Sequence, residues 1–365
     1  MKVNLNNKNF GGNLSMKKQK IIVSAIALIS LFSLTACGYN RENQSGKAKT
    51  TLKVALVPGT GGVNDRSFNQ SAWEGLQDWG KENNLKKGVG YNYYQSNSDS
   101  EYITNYNSAE QAGYKLLFGI GYSLQDATTI AAKNNPDSNF VIIDSVITSQ
   151  KNVASATFAD NEAAYLAGVA AAKASKTNKI GFIGGMESDI VTHFEKGYIA
   201  GAKSIKPNIQ VKVQYSGTFT DAAKTKTIAA AMYASGNDVI FQCAGNAGSG
   251  AFNEAKSLNN NRKESDKVWL IGVDQDQKYL GKYTSKDGKK SNFVLVSTIK
   301  EVGEVVKDIS EKTKNNKFPS EEVIKYDLKN GGVSLALDNV TSEIKNSIIQ
   351  AKEKIVSGKI IVPEK

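Results

Sequence analysis

From Leu52 onward, short β-branched apolar runs alternate with longer stretches whose apolar residues recur at helical spacing. This alternation predicts βαβ units and a parallel sheet. The first strand is expected at Leu52–Val57, followed by a helix over Ser67–Asn83 with Phe68, Trp73, Leu76 and Trp79 on its apolar face. Strands are then expected at Gly90–Gln95, Leu116–Gly119, Asn139–Ile143 and Val153–Phe158, with helices at Glu101–Ala112 and Leu124–Asn134. A second series of similar size places helices at Glu162–Lys173, His193–Lys203, Ala222–Ser235 and Gly248–Ser257. Its strands fall at Lys179–Ile183, Ile209–Tyr215, Val239–Cys243 and Val268–Val273. Short strands at Phe293–Ser297 and Gly332–Leu337 flank a helix at Lys300–Lys312, and Ser342–Ser357 forms a last helix. Polar Asn259–Lys267 and Thr284–Asn292 read as surface insertions. Two such series predict an α/β protein with two doubly wound lobes, in which ligands bind beyond the carboxyl ends of the strands.

The segment before this rhythm has a different pattern. Lys17–Lys18–Gln19–Lys20 precedes an apolar run from Ile21 to Leu34, and Leu34–Thr35–Ala36–Cys37 follows. A basic region, an apolar region and a small-residue cleavage site form a signal peptide, and a cysteine at the cut marks a bacterial lipoprotein. The run is shorter than the roughly 20 residues a membrane-spanning helix needs. Residues 1–36 are therefore expected to be removed, with Cys37 carrying lipid on the outer face of the cell membrane. Met16 is a better start for such a signal than Met1, because the residues between them are polar. Residues 37–50 are small and polar and read as a flexible tether.

Composition narrows the function. The formal charge of +11 falls to about +6 without residues 1–36, with 41 basic residues against 35 acidic. The basic residues are dispersed, which argues against nucleic-acid binding. With Cys37 consumed, Cys243 has no disulfide partner, and its apolar surroundings suggest a buried, inert thiol. The single histidine, His193, has no neighbouring Ser/Asp or Cys arrangement for catalysis, and no Cys/His spacing suits a metal. No enzyme activity, cofactor or metal is expected.

The strand-end loops hold the candidate chemistry. Pro58–Asn69 after the first strand is glycine-rich and ends in Phe68 and Asn69, an aromatic face beside an amide. That pair suits stacking on a flat ring and hydrogen bonding to its edge. Asp65 or Ser67 is placed to cap the helix that follows. The remaining loops are Phe118–Tyr122, Ile143–Ser145, Asp160–Glu162, Gly184–Glu187, Ser216–Phe219, Ala244–Gly248 and Gly272–Gln277. Most combine glycine with Asp, Asn or Glu. Any one of them is ordinary turn chemistry, but their repetition at the same topological place suits a polyhydroxylated ligand. Asp274 and Asp276 alone are weak evidence for a metal.

Asp65–Arg66–Ser67–Phe68–Asn69–Gln70–Ser71–Ala72–Trp73–Glu74–Gly75–Leu76 resembles the opening signature of the basic membrane protein family of lipoproteins. Tyr165–Leu166–Ala167–Gly168, Gly184–Gly185, Phe194–Glu195–Lys196–Gly197–Tyr198–Ile199–Ala200–Gly201 and Ile271–Gly272–Val273–Asp274–Gln275–Asp276–Gln277 are similar to its later signatures, in the same order across residues 52–340. The resemblance implies a type I periplasmic-binding-protein fold, two Rossmann-like lobes joined by a three-strand hinge. It also implies an extracytoplasmic receptor that passes a nucleoside, often a purine nucleoside, to the permease and ATPase of an ABC importer. Phe68 would then stack on the base with Asn69 at its edge, and Ser67 and Gly185 would be further ligand-binding residues. Asp274 and the Gly245–Asn246 loop would hold ribose hydroxyls, and Lys300 would point into the cleft. Asp160 and Glu162 match an acidic segment near the first lobe crossing. Family members often carry an acidic residue just after the first strand, where this chain has Val57–Pro58–Gly59–Thr60, and Asp144 is the candidate substitute.

The lobes are expected at 51–157 plus 275–299 and at 158–274 plus 300–340, with crossings near Phe158, Asp274 and Lys300 and an outer C-terminal segment at 341–365. A monomer is the expectation from the fold. The rival functions are a sugar receptor of the same fold, a surface adhesin or immunogenic lipoprotein with no small ligand, and a nucleoside hydrolase.

Overall fold

A computed structural model describes residues 51–365, so the signal peptide expected at 1–36, Cys37 and the tether expected at 37–50 lie outside the described residues. The first half supplies strands β1 (Val54–Pro58), β2 (Tyr91–Tyr93), β3 (Leu116–Ile120), β4 (Asn139–Ile143) and β5 (Val153–Phe158). Helices α1 (Phe68–Glu82), α2 (Tyr102–Gln111) and α3 (Gln125–Asn134) lie between them. The second half begins with α4 (Asp160–Ala174), β6 (Lys179–Gly184), α5 (Asp189–Ile205), β7 (Gln210–Tyr215) and α6 (Ala222–Ala234). It continues with β8 (Val239–Cys243), α7 (Ser249–Asn260), β9 (Trp269–Gly272) and a hairpin of β10 (Lys282–Thr284) and β11 (Lys290–Asn292). The last elements are β12 (Val294–Lys300), α8 (Val302–Lys314), β13 (Val323–Tyr326), β14 (Val333–Ala336) and α9 (Ser342–Val356).

Two six-stranded sheets result, ordered β2-β1-β3-β4-β5-β13 and β7-β6-β8-β9-β12-β14. They share one winding order, and every pairing is parallel except β12 with β14. Strands β1, β3 and β8 are buried along their whole length, as expected of parallel strands covered by helices on both faces. Edge strand β7 instead alternates exposed and half-buried residues.

The helix that follows the fifth strand of each sheet packs on the other lobe. Helix α4 leaves β5 and packs along α5, and α8 leaves β12 and packs along α1. Glycine permits both contacts. A Cβ on Gly168, Gly197 or Gly201 would collide with the backbone carbonyl of Tyr198, Asn161 or Tyr165, so α4 and α5 meet backbone to backbone. Gly75 and Gly303 do the same for α1 and α8.

The chain thus passes between lobes after Phe158, after Lys300 and between Tyr326 and Val333. This corrects the crossing expected near Asp274, the assignment of 275–299 to the first lobe, and the assignment of all of 300–340 to the second, since α8 and β13 belong with the first. Strands β9 and β12 are neighbours in one sheet, with Leu270 opposite Val294 and Gly272 opposite Ser297, so the segment between them stays in the second lobe. The segment that returns to the first sheet is β13, paired with β5 from Val323–Ser155 to Tyr326–Phe158.

Candidate functional site

The loops at the carboxyl ends of β1, β3, β4, β6, β8, β9 and β12 converge between the sheets around a cavity of about 240 Å³. Its first-lobe wall is fixed by Asp65. That carboxylate accepts the backbone N–H groups of Ser67 (2.9 Å), Asn69 (3.0 Å) and Gln70 (3.0 Å), and the Asn69 Nδ2 at 2.9 Å. Asp65 therefore caps α1, and burial raises its pKa against the pull of those donors. The Ser67 hydroxyl, released from capping, donates to Asp274 Oδ2 of the other lobe. Asn69 Oδ1 accepts from the Gly59 N–H at 3.1 Å, so the Asn69 amide is clamped between the first loop and α1. Phe68, the first residue of α1, places its ring at the cavity.

Lys300 ends β12 and lies at the centre of the site. Its Nζ is 2.7 Å from Asp144 Oδ2 and 3.1 Å from Asp160 Oδ2. All three side chains are buried, at 3%, 5% and 1% exposure. The rings of Phe158, Phe68 and Phe194 surround the ammonium with centroids at 4.8, 5.1 and 5.8 Å. Burial pulls the Lys300 pKa down, but Asp144, Asp160 and Asp274 outweigh it and the net shift is upward, so the group is a cation. Burial raises Asp160, with Lys300 offsetting part of the effect. Burial likewise pushes Asp274 up to about 6. Asp144 Oδ1 and Asp160 Oδ1 are buried without a hydrogen-bond partner.

Asp144 and Asp274 occupy equivalent places, each just beyond the fourth strand of its lobe in the winding order. Both hold the left-handed conformation, with φ of 64° and 66°, which Asp tolerates better than most residues. Both line the cavity, one from each lobe.

Of the residues expected from sequence, Phe68, Asn69, Asp144, Gly245, Asn246, Asp274 and Lys300 line the cavity. Ser67 and Asp160 stand behind it as partners of Asp274 and Lys300. Gly185 lies beneath the wall, where its N–H donates to the Cys243 carbonyl at 2.9 Å and a Cβ would enter the Phe219 ring. Glu162 lies away from the cavity. Two residues along α4 is about 200° of rotation from Asp160, and its Oε2 accepts the Leu328 N–H at 3.0 Å in the third crossing.

Tyr122, Met186 and Phe219, which the sequence did not single out within their strand-end loops, line the cavity with Thr60, Ile190 and Phe194. Phe219 carried a readable signal, an aromatic at the end of a glycine loop like Phe68. Cys243 is buried at the cavity wall, and burial raises its pKa, so the thiol stays protonated. His193 on α5 is half-buried, with its pKa lowered by burial. Asp276 accepts the Lys278 N–H in a turn. Among the described residues no cluster of His, Cys, Asp or Glu is arranged for a metal ion.

A buried cation, buried carboxylates and aromatic rings between two like-wound lobes make a receptor cleft, and the comparisons with known proteins agree. Residues 52–365 match the family described as ABC transporter substrate-binding protein PnrA-like. The chain belongs to this family. Among curated relatives it is 71% identical to the ABC transporter nucleoside-binding protein BmpA of Lactococcus lactis subsp. cremoris, over 96% of this chain and all of that one. It is 34% identical to basic membrane protein A of Borreliella burgdorferi, over 85% of this chain and 87% of that protein. A solved ABC transporter solute-binding protein from Aeropyrum pernix superposes with a TM-score of 0.73 at 21% identity, covering 86% of this chain and 94% of that one. Membership in a family of ABC-transporter substrate-binding proteins and the type I binding-protein fold agree with what the sequence signatures implied.

Proposed function

We propose that this chain is the lipid-anchored, extracytoplasmic receptor of an ABC importer, and that it binds a purine nucleoside between its lobes and delivers it to the permease. The observation that carries this reading is the cavity wall, where aromatic rings from both lobes, Phe68 and Phe219, lie beside buried Asp144, Asp274 and Lys300. A nucleoside joins a flat base to a hydroxylated sugar, and the wall offers a partner to each. The volume of about 240 Å³ lies below the ~300–1,000 Å³ usual for drug-sized ligands, which favours one small molecule over a peptide.

In this reading the base stacks on Phe68, with the clamped Asn69 amide at its edge. Asp274 and the Gly245–Asn246 loop accept ribose hydroxyls, and Lys300 supplies a positive charge beside them. The unpaired Asp144 Oδ1 accepts an N–H of the base, the part played in many relatives by an acidic residue after the first strand. Cys37 carries the lipid. Contacts made to both lobes by one ligand couple occupancy to lobe closure, which is what a permease would read.

Native mass spectrometry of the purified protein, followed by titration with a nucleoside panel, tests this. A co-purified nucleoside, or saturable binding of purine nucleosides, is expected, and Phe68→Ala should weaken that binding by about 1–3 kcal/mol. Binding of free monosaccharides with no response to nucleosides would replace the reading with the sugar receptor. No ligand in either panel would favour the adhesin.

A further inference from the structure

The signature segment Ile271–Gln277 ends in a residue that the cleft itself does not use. Gln277 is buried, yet it does not line the cavity. Its backbone N–H donates to Ser297 Oγ at 3.1 Å, which fixes the loop on β12. Its side-chain Oε1 accepts from two groups of the second lobe, Gln242 Nε2 at 3.0 Å and the Val273 N–H at 3.0 Å. Its Nε2 donates across the lobes to the Arg66 carbonyl at 2.8 Å. These neighbours dictate the orientation of the amide. Flipped, it would set N–H against the Val273 N–H and oxygen against the Arg66 carbonyl.

Gln242 lengthens the chain of bonds. It is buried in β8, and its Oε1 accepts the Ala244 N–H at 3.4 Å. The donors therefore run one way, from Ala244 through Gln242 and Gln277 to Arg66. Small neighbours make room for the two amides. A Cβ on Gly248 would collide with the Gln242 side chain, and one on Gly272 would crowd Ser297 Oγ and Gln277 Oε1.

The ends of this relay matter for the cleft. Ala244 precedes the Gly245–Asn246 loop, and Val273 precedes Asp274. Arg66 holds a left-handed conformation, with φ of 57°, two residues before Phe68. Ser67 between them donates to Asp274. One set of buried amides thus joins the three cavity-lining elements that bracket the base and the sugar in the nucleoside reading.

We propose that Gln277 is a positioning residue that locks the Asp274 loop of the second lobe to the Arg66–Phe68 turn of the first in the closed cleft, and so sets the lifetime of the bound nucleoside. The inference rests on the nucleoside reading of the cleft. With the lobes apart, water takes the place of either partner. With the lobes together, a residue 277 without a donor leaves the Arg66 carbonyl unpaired against the second lobe, and that cost falls on the closed form alone. Gln277 touches no ligand in this scheme and acts through the two loops it holds.

The test follows adenosine and guanosine binding to the full chain by stopped flow, for the unmodified protein, Gln277→Glu and Gln277→Met. The glutamate keeps the acceptor for Gln242 and Val273 but, when ionised, has no donor for Arg66. At pH 8 its complexes should dissociate about tenfold faster, with association within about twofold of the unmodified rate, because the lobes close after the ligand has entered. Burial raises the pKa of such a carboxyl, and at pH 5 the neutral acid donates where the amide did. Its dissociation rate relative to the unmodified chain should then return toward one, and taking that ratio at each pH cancels the titration of Asp274. Gln277→Met has no donor at either pH and should dissociate fast at both. Unchanged dissociation in the variants, a Gln277→Glu defect that persists at pH 5, or slowed association overturns the proposal. Solution scattering of the ligand-free chains separates this outcome from failure of the cleft. If the unmodified protein binds neither nucleoside, the nucleoside reading fails. A larger radius of gyration in Gln277→Met than in the unmodified chain would still support the lock between lobes, and equal radii would overturn it.

Discussion

Lys300 brings one positive charge into a pocket that also holds the carboxylates of Asp144, Asp160 and Asp274. Removing a single partner from a buried pair leaves uncompensated charge. Lys300→Met is therefore expected to cost about 3–5 kcal/mol in urea unfolding, and adding Asp160→Asn should recover part of it. A loss under about 1 kcal/mol would show that water already screens the cluster. Asp274 makes a prediction about pH. Its folded pKa of about 6 exceeds the ordinary 3.8 because of burial, so folding favours the protonated form. The stability it contributes is fully present below pH 3.8 and is lost as pH rises through about 6. A gap of that size is worth at most about 3 kcal/mol. The unfolding free energy of Asp274→Asn should therefore gain on that of the unmodified chain between pH 4 and 7.5, and parallel profiles would refute the shift. Nucleoside affinity should run the other way, tightening as pH rises through 6, because only the ionised carboxylate accepts from two hydroxyls. These roles were partly readable in sequence. An aspartate or lysine at a strand end stands out, and Asp65 could be read as a cap, its hold on Asn69 lying only four residues away, whereas the Ser67–Asp274 bond depends on a fold that joins residues far apart in the chain.

At the scale of elements, glycine sets the helix spacing. Gly201→Ala would push a methyl group into the Tyr165 carbonyl of α4, a backbone atom that cannot turn aside. The expected cost is about 1–3 kcal/mol by chemical denaturation, and a neutral result would mean that α4 and α5 slide apart freely. The resemblance had marked Gly168, Gly197 and Gly201 as signature residues, and the structure gives the reason. They belong to the helix contact and not to the ligand cavity. Most strands and helices were legible because hydrophobic period records burial on one face or two. Strand β13 was not. It has four residues, alternates exposed and half-buried, and pairs with β5 across more than a hundred intervening residues. The hairpin of β10 and β11 was hidden for a similar reason, because a polar three-residue strand looks like a loop. The crossing expected near Asp274 failed because a strand's own residues do not record which sheet the next strand joins.

Across the whole molecule, the C-terminal residues tie the hinge together. Helix α9 buries Ile344, Ile348, Ala351 and Ile355 and packs on α4 in the second lobe. Beyond it Val362 is buried, and its carbonyl accepts the Asn161 Nδ2 at 2.9 Å in the first turn of α4, directly after the first crossing. Two residues further on, Glu364 faces Lys325 of β13 at 3.4 Å, just before the third crossing. One end segment thus contacts two of the three connections that must bend if the lobes move. The exposed Lys325–Glu364 pair adds little, so the restraint rests on Val362 and Asn161. Deleting residues 358–365 should lower the unfolding midpoint modestly and enlarge the ligand-free radius of gyration in solution scattering. It should also speed nucleoside dissociation, because a looser hinge populates the closed form less. Asn161→Ala should reproduce the dissociation effect in part while leaving the tail in place. If the truncated chain matches the intact one in scattering and in dissociation rate, the tail is only a stabilising wrap, and closure is governed by the cross-lobe bonds at Ser67–Asp274, Gln277–Arg66 and Lys300–Asp144.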